Sequence, residues 1–310
     1  MSTDPTVGFG LPGGLRLDVP SALRLVNLAA DRGLGPVLLT EVSGFDAIAL
    51  STAFAAQHPE CPTGTGIVPL GSKTLSAIAM GARTAGELSD APYLLGVGVS
   101  TRQIVSDWHG ADYDPTVATT VQRLRDLKAL LEGDRRGSFA LTSTGVADVR
   151  VLLGAMGPRM VRAGLEEADG VIINHTPANR LPQAPEGKLL LAYVWVLACE
   201  DGDTRVRRDL TSYVMADPSA RHFTDLGFGE TVAEVRALHA AGRLREAPAR
   251  LPVDMVETFS VTPDRLPARV AEFQDVGALP VLMPVTGERP VDEISGLLES
   301  RCWASEPALR

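Results

Sequence analysis

Eight short runs of almost unbroken apolar residues recur along this chain, at residues 7–11, 36–41, 64–70, 93–100, 149–156, 170–176, 189–199 and 279–286. A strand with one face in water alternates polar and apolar residues, and these runs do not, which is the pattern of parallel strands covered on both faces. Between most of them the apolar residues take helical spacing, at 21–33, 45–57, 76–88, 117–133 and 158–168. In the first of these, Ser21 is the expected cap at the start and Gly33 the expected end. Strands and helices that alternate in this way close into a barrel or spread into a doubly wound sheet. No glycine fingerprint follows the first strand, where a dinucleotide-binding sheet needs one, so the reading is a (β/α)8 TIM barrel of the α/β class.

A barrel of this kind fits 310 residues as one domain, 1–310. Two segments break the repeat. Residues 177–188 carry Pro177, Pro182 and Pro185, which disfavour a regular helix. Residues 200–278 are far longer than one crossover and hold helical patterns near 206–215 and 231–241. We read the second segment as an insertion beside the mouth, between the seventh and eighth strands.

Charge and composition then narrow the function. A net charge of -9 opposes a nonspecific nucleic-acid binder, which must cover phosphates with clustered Lys and Arg. No apolar run reaches the roughly 18 residues of a membrane helix, and the N-terminus lacks a signal-peptide pattern, so a soluble cytoplasmic protein is expected. Cys61, Cys199 and Cys302 lack paired spacing and read as reduced thiols, not as a disulfide framework or a zinc site.

Barrel enzymes build their sites from strand C-terminal ends and the loops that follow, which leaves few positions to search. Thr40 and Glu41 end the second strand, and Glu41 faces either the mouth, as a proton relay, or an Arg on the rim. Gly66 lies in the third. Gly96, Gly98 and Ser100 in GVGVS admit a flat ligand close to the backbone, or merely relieve crowding. Ala155, Gly157, Pro158 and Arg159 span the end of strand five and the start of a helix, where backbone N–H groups and a guanidinium suit a phosphate. The same Gly-Pro pair is also ordinary helix-start chemistry. Asn174 and Thr176 follow strand six, with His175 between them, and His109 follows strand four. His58, His222 and His239 are expected to be solvated, and no histidine pair has metal-site spacing. Nucleophile elbows and phosphate loops are missing from the sequence, whereas a site poor in ionisable groups suits chemistry supplied by a cofactor.

The segment GVGVSTRQIVSDWHGADYD, residues 96–114, resembles the stretch after strand four in luciferase-like monooxygenases, particularly their branch that uses the deazaflavin coenzyme F420. LGAMGPRMVRAGLEEADGVIINHTP at 153–177 is similar to that family's strand-five to strand-six unit, GTGIVPL at 64–70 to its third strand, and PVLMPVTG at 280–287 to its last. The resemblance implies a (β/α)8 barrel, usually a homodimer, that holds coenzyme F420 or FMN noncovalently at the mouth. It implies a non-proline cis peptide at Gly66-Ile67 behind the ring and phosphate capture by Gly157 and Arg159. Thr40, Gly98, Ser100, Ala155, Pro158, Asn174 and Thr176, at or after the strand ends, complete the expected cofactor contacts. Many members place a histidine after the strand-two carboxylate where this chain has Val42, which leaves Glu41 as the expected acid or base. The expected activity is hydride transfer between the deazaflavin C5 and a small organic substrate. The alternatives are an FMN-dependent monooxygenase fed by a partner reductase, and a cofactor-binding barrel without turnover.

Overall fold

A computed structural model describes residues 6–304. Its strands and helices alternate as β1 (Gly8–Leu11), α1 (Val19–Asp31), β2 (Val37–Leu39), α2 (Ala47–Ala55), β3 (Thr63–Pro69), α3 (Leu75–Glu87), β4 (Tyr93–Gly98), α4 (Val117–Glu132), β5 (Val149–Ala155), α5 (Pro158–Glu167) and β6 (Gly170–Ile173). Then come β7 (Leu189–Leu197), four helices α6 (Gly202–Val214), α7 (Asp217–Phe223), α8 (Gly229–Ala240) and α9 (Val253–Phe259), the two-residue β8 (Ser260–Val261), α10 (Leu266–Asp275), β9 (Leu279–Val285) and α11 (Pro290–Ser300). All eight expected strands are present. No helix is long and apolar enough to cross a membrane.

Every strand pairing is parallel, and the ring runs β1-β2-β3-β4-β5-β6-β7-β9 and back to β1. β9 is therefore the eighth barrel strand. β8 pairs with Trp195 and Val196 of β7, on the edge whose lower part, Leu189 to Ala192, pairs with β6. β6 returns to β7 through a single three-residue 3-10 turn, Ala178–Arg180, as the prolines foretell.

Local chemistry sets the helix ends. Asp18, not the expected Ser21, caps α1: its carboxylate accepts from the Ser21 N–H at 2.8 Å, and Ser21 lies inside the first turn, buried. Pro20 at the helix start moves the boundary upstream, because a proline N1 or N2 needs no N–H partner. Gly33 follows the last turn with φ 81°, the left-handed conformation that glycine adopts freely.

Two cores position the mouth. Between sheet and helices lies the main core, which includes Phe9, Val37, Leu39, Tyr93, Leu95 and Leu153. Inside the ring, Leu38, Leu94, Leu152, Ile172, Leu191 and Val281 form a separate plug. Alternation along β4 thus turns Leu94, Gly96 and Gly98 inward while Tyr93, Leu95 and Val97 face the helices. The insertion forms a third cluster, in which Val206, Leu210, Phe223, Val235, Met255 and Phe259 pack with Val285 and against Met156, Trp195 and Leu197. It therefore sits on the C-terminal rim, as expected.

The inward glycines make room for larger neighbours. A Cβ on Gly96 would fall 2.1 Å from the Thr65 carbonyl oxygen and 2.7 Å from Ile172 Cδ1. Backbone cannot yield as a side-chain tip can, so we expect Gly96→Ala to cost about 1–3 kcal/mol. Gly296 lies in α11, and a Cβ there would meet nothing within 4 Å, so Gly296→Ala should stabilise by roughly 0.5–1 kcal/mol. Urea unfolding of the two variants checks both signs.

Candidate active site

The interior plug stops at a floor made by β3. Its register with β4 shifts between Thr65 and Val68, and the Gly66-Ile67 peptide is cis, as the resemblance implies. The Ile67 side chain lies over glycines of the next two strands, β4 and β5: a Cβ on Gly98 would meet it at 3.3 Å and one on Gly154 at 2.8 Å. Across the ring, the Tyr193 hydroxyl of β7 donates to the Gly66 carbonyl, and a Cβ on Gly66 would collide with that hydroxyl at 2.0 Å. Tyr193 is half-buried against the plug, and loss of water around it raises its phenol far above the ordinary range. Met283 of β9 fills the space left by Gly10 of β1. The result is an apolar floor with Ile67 at its centre and no charge beneath it.

One wall of the mouth is aromatic and hydrogen-bonded. The Trp195 indole N–H donates to Asn174 Oδ1 at 2.9 Å, and Asn174 Nδ2 donates to the Tyr213 hydroxyl at 3.4 Å. His175, with φ 49°, turns its ring out of the strand into a cage of Trp195, Tyr213, Phe223 and Phe259, with centroids 4.6, 4.4, 5.9 and 5.6 Å away. Neither His175 ring nitrogen has a hydrogen-bond partner among the described residues, and burial, followed by the nearby His222, lowers its pKa to about 3. His222 is buried, not solvated as expected. Its Nε2 lies 2.9 Å from the His175 carbonyl and 3.1 Å from Thr176 Oγ1, so the insertion clamps the turn after β6.

At the end of β2, both expected residues are engaged by the protein itself. The Thr40 hydroxyl donates to the Leu11 carbonyl at 2.9 Å and accepts from the Gly13 N–H. Glu41 accepts from the Ala47 N–H at 3.0 Å at the start of α2 and pairs with Lys73, which also holds Asp46 at 2.9 Å. Its partner is a lysine, not the rim arginine expected as the alternative. Only 8% of the Glu41 side chain is exposed, so its carboxylate ties the loops after β2 and β3 together.

The ends of β4 and β5 are more open. Ser100 has φ 61° and makes no side-chain hydrogen bond among the described residues, while its carbonyl accepts from Tyr113 at 3.4 Å. Gly157 caps α5 without any side-chain hydrogen bond, whereas α1 to α4 are capped by Asp18, Asp46, Thr74 and Thr116. Nothing lies within 4 Å of the Gly157 Cβ direction, and Pro158 and Arg159 are exposed. Ala155 faces the sheet–helix core and offers the mouth only its backbone. The structure thus sets Ile67 against Gly98 in the floor, leaves Ser100 and Arg159 without a side-chain hydrogen bond among the described residues and the α5 start at Gly157 uncapped, and commits Thr40, Glu41 and Thr176 to internal bonds. Tyr193, Trp195 and Tyr213 escaped the sequence reading. Two aromatics at alternate positions in LLLAYVWVL were the available signal, since period two turns both to one face.

A polar cleft of about 250 Å³ opens at the opposite end of the barrel, beside the start of β5. There Arg83, Lys128 and Arg150 are each held by a carboxylate, and no strand C-terminal end reaches it.

A parallel eight-stranded barrel with an apolar floor under its C-terminal mouth defines an α/β-barrel protein of the (β/α)8 class. The chain belongs to the luciferase-like monooxygenase family, whose family model matches residues 5–279. A Mycobacterium tuberculosis relative with the provisional designation coenzyme F420-dependent oxidoreductase is 28% identical over 168 residues, covering 47% of this chain. The chain spans about half of that relative's length, 48%. The 5,10-methylenetetrahydromethanopterin reductase of Methanolobus tindarius is 22% identical over 299 residues, covering 83% of this chain and 87% of the reductase. In fold, the coenzyme F420-dependent tetrahydromethanopterin reductase of Methanopyrus kandleri superposes with a TM-score of 0.70 at 18% identity, covering 96% of this chain and 98% of that one.

His175 generates a pH prediction. Its pKa is depressed in the folded state from 6.5 to about 3, so below pH 6.5 the unfolded chain takes up a proton that the folded chain refuses. Stability should fall as pH drops from about 6.5 towards about 3, with a single-site slope of up to about 1.4 kcal/mol per pH unit. His222 is shifted the same way, by burial first, and adds to the effect. Urea midpoints from pH 7 to 4 should decline less steeply in His175→Phe than in the wild type.

Proposed function

We propose that this protein is a coenzyme F420-dependent oxidoreductase that passes a hydride between the deazaflavin C5 and a small organic substrate at the barrel mouth. The observation that carries the reading is the Ile67 floor: an apolar, uncharged surface braced by Gly98, Gly154 and the Tyr193–Gly66 hydrogen bond. A tricyclic ring needs such a flat support, and a bulkier residue at either glycine would displace Ile67. Coenzyme F420 bound there supplies a two-electron hydride carrier, so the protein need only bind, orient and exclude water.

The residues fit that division of work. Gly157 and Arg159 at the uncapped start of α5 present free amide edges and an exposed guanidinium to the ligand's phosphate. The Ser100 hydroxyl is available for a polar edge. Asn174, already fixed by Trp195 and Tyr213, holds the aromatic wall in place and keeps the substrate side of the mouth rigid. Thr40 and Glu41 act at one remove, by fixing the loops over β1, β2 and β3. The names of the mycobacterial and methanogen relatives point to the same cofactor.

Two measurements test this. In a fluorescence titration the purified protein should bind coenzyme F420 more tightly than FMN; equal or tighter FMN binding overturns the deazaflavin reading in favour of a flavin-dependent monooxygenase. Arg159→Ala should weaken coenzyme F420 binding about ten- to a hundredfold without changing the unfolding midpoint, because a charge-assisted hydrogen bond is worth roughly 1.5–3 kcal/mol. Unchanged affinity would leave the start of α5 as an ordinary helix terminus.

A further inference from the structure

Of the seven residues of β3, Ile67 alone is not buried, so the floor presents that one side chain to the mouth. Two backbone carbonyls set its height. The Gly66 carbonyl is held from across the ring by the Tyr193 hydroxyl, and the Ile67 carbonyl accepts from the Glu41 N–H at 3.2 Å. The second bond lies outside the regular ladders: β2 pairs with β3 only as far as Leu39 and Thr65, and past its irregularity β3 pairs with β4 through Val68 and Pro69. On the β2 side, the place of Ile67 therefore depends on where Glu41 is held.

Glu41 is held in turn by its own side chain. Its carboxylate pairs with the Lys73 ammonium and accepts from the Ala47 N–H at 3.0 Å. The same ammonium lies 2.9 Å from Asp46, whose other oxygen caps α2 through the Ala49 N–H at 3.0 Å. Lys73 belongs to the loop that continues from β3, beside Thr74, which caps α3. The contacts close a circuit: from Ile67 along the chain to Lys73, across the ion pair to Glu41, and back through the Glu41 N–H to the Ile67 carbonyl. The side chains of Glu41 and Lys73 are 8% and 22% exposed, so the pair is shielded from the solvent screening that makes surface pairs worth little. Without the ammonium, two carboxylates would face each other at the end of β2, and like charges so placed move apart.

We propose that Lys73 is a positioning residue for the cofactor ring: by drawing Glu41 and Asp46 together it fixes the Glu41 N–H against the Ile67 carbonyl, and so sets the surface on which the ring rests. The identity of the ring rests on the oxidoreductase reading above; the circuit through Lys73, Glu41 and Ile67 does not. Lys73 acts on the ring only through Glu41 and Ile67, since its ammonium is taken up by the two carboxylates. This separates it from Arg159, which is assigned to the phosphate. Lys73 governs how well a flat ring is seated, whatever tail the ring carries.

Titrations of Lys73→Met with coenzyme F420 and with deazariboflavin, which carries the ring without a phosphate, test the assignment. Both ligands should bind about tenfold more weakly than to the wild type, the effect of one charge-assisted hydrogen bond. Lys73→Arg, whose guanidinium can offer an N–H to each carboxylate, should bring both back to within about threefold. Lys128→Met removes a lysine of similar exposure, paired with Asp169 at 3.1 Å at the opposite end of the barrel, and should leave both affinities unchanged. That control separates positioning from lost stability. In the ligand-free protein, the Glu41 amide should exchange its hydrogen about tenfold faster in Lys73→Met and return to the wild-type rate in Lys73→Arg. If Lys73→Met does not fold, Glu41→Gln, which keeps the hydrogen-bonding shape and drops the charge, carries the same measurements in the same direction. Unchanged affinity for either ligand, unchanged amide exchange, a loss confined to the full coenzyme, an equal loss in Lys128→Met, or no rescue by Lys73→Arg would each overturn the assignment. If the wild type binds none of coenzyme F420, deazariboflavin and FMN, the oxidoreductase reading falls, while Glu41 exchange still decides whether Lys73 holds the floor.

Discussion

A single hydrogen bond across the barrel, from the Tyr193 hydroxyl to the Gly66 carbonyl, decides where the packed interior ends and the mouth begins. β3 and β7 stand on opposite sides of the ring, so the bond spans it and fixes the height of the floor. Below it the plug of Leu38, Leu94, Leu152, Ile172, Leu191 and Val281 needs no polar group. Above it, every polar side chain must be tied to a neighbour or left for a ligand. The Tyr193 phenol is tolerated inside an apolar plug because the Gly66 carbonyl satisfies its donor. Gly66 is required there because any side chain would occupy the hydroxyl's place.

The rim shows how that division was filled. Thr40, Glu41 and Lys73 lock one side through bonds within the protein, and Asn174, Trp195, Tyr213 and His222 lock the other. The second lock depends on the α6–α9 insertion, since Tyr213 and His222 reach the barrel from there. His175 carries the penalty of this arrangement: its ring is enclosed by four aromatic side chains with both nitrogens unpartnered, which keeps it neutral. Such a residue rigidifies the wall without adding charge to it.

Much of the barrel was legible in the sequence because burial on both faces leaves continuous apolar runs, and the missing glycine fingerprint after the first favours a barrel over a dinucleotide-binding sheet. The helix boundaries were less so. Ser21 and Asp18 are both competent caps, and Pro20 at the helix start decides between them. Candidate residues were readable where backbone freedom was the signal, as at Gly98, which Ile67 covers, and Gly157, the N-cap of α5. They were unreadable where partners arrive from distant segments. Glu41 looks identical in sequence whether it faces the mouth or Lys73, and the 32-residue separation of the two hides the pair. Tyr213 and His222 belong to a segment with no motif, so their approach to Asn174 and Thr176 emerges only from the fold.

The two sides of the mouth are built from different parts of the chain. Arg159 stands exposed at the start of α5, beside β5, and makes no ion pair among the described residues, whereas the turn after β6 is held by Tyr213 and His222 from the insertion. The floor at Ile67 is made by barrel strands alone, β3 with the glycines of β4 and β5 and the Tyr193 hydroxyl of β7. Variation in residues 200–278 can therefore alter the wall while the floor stays the same.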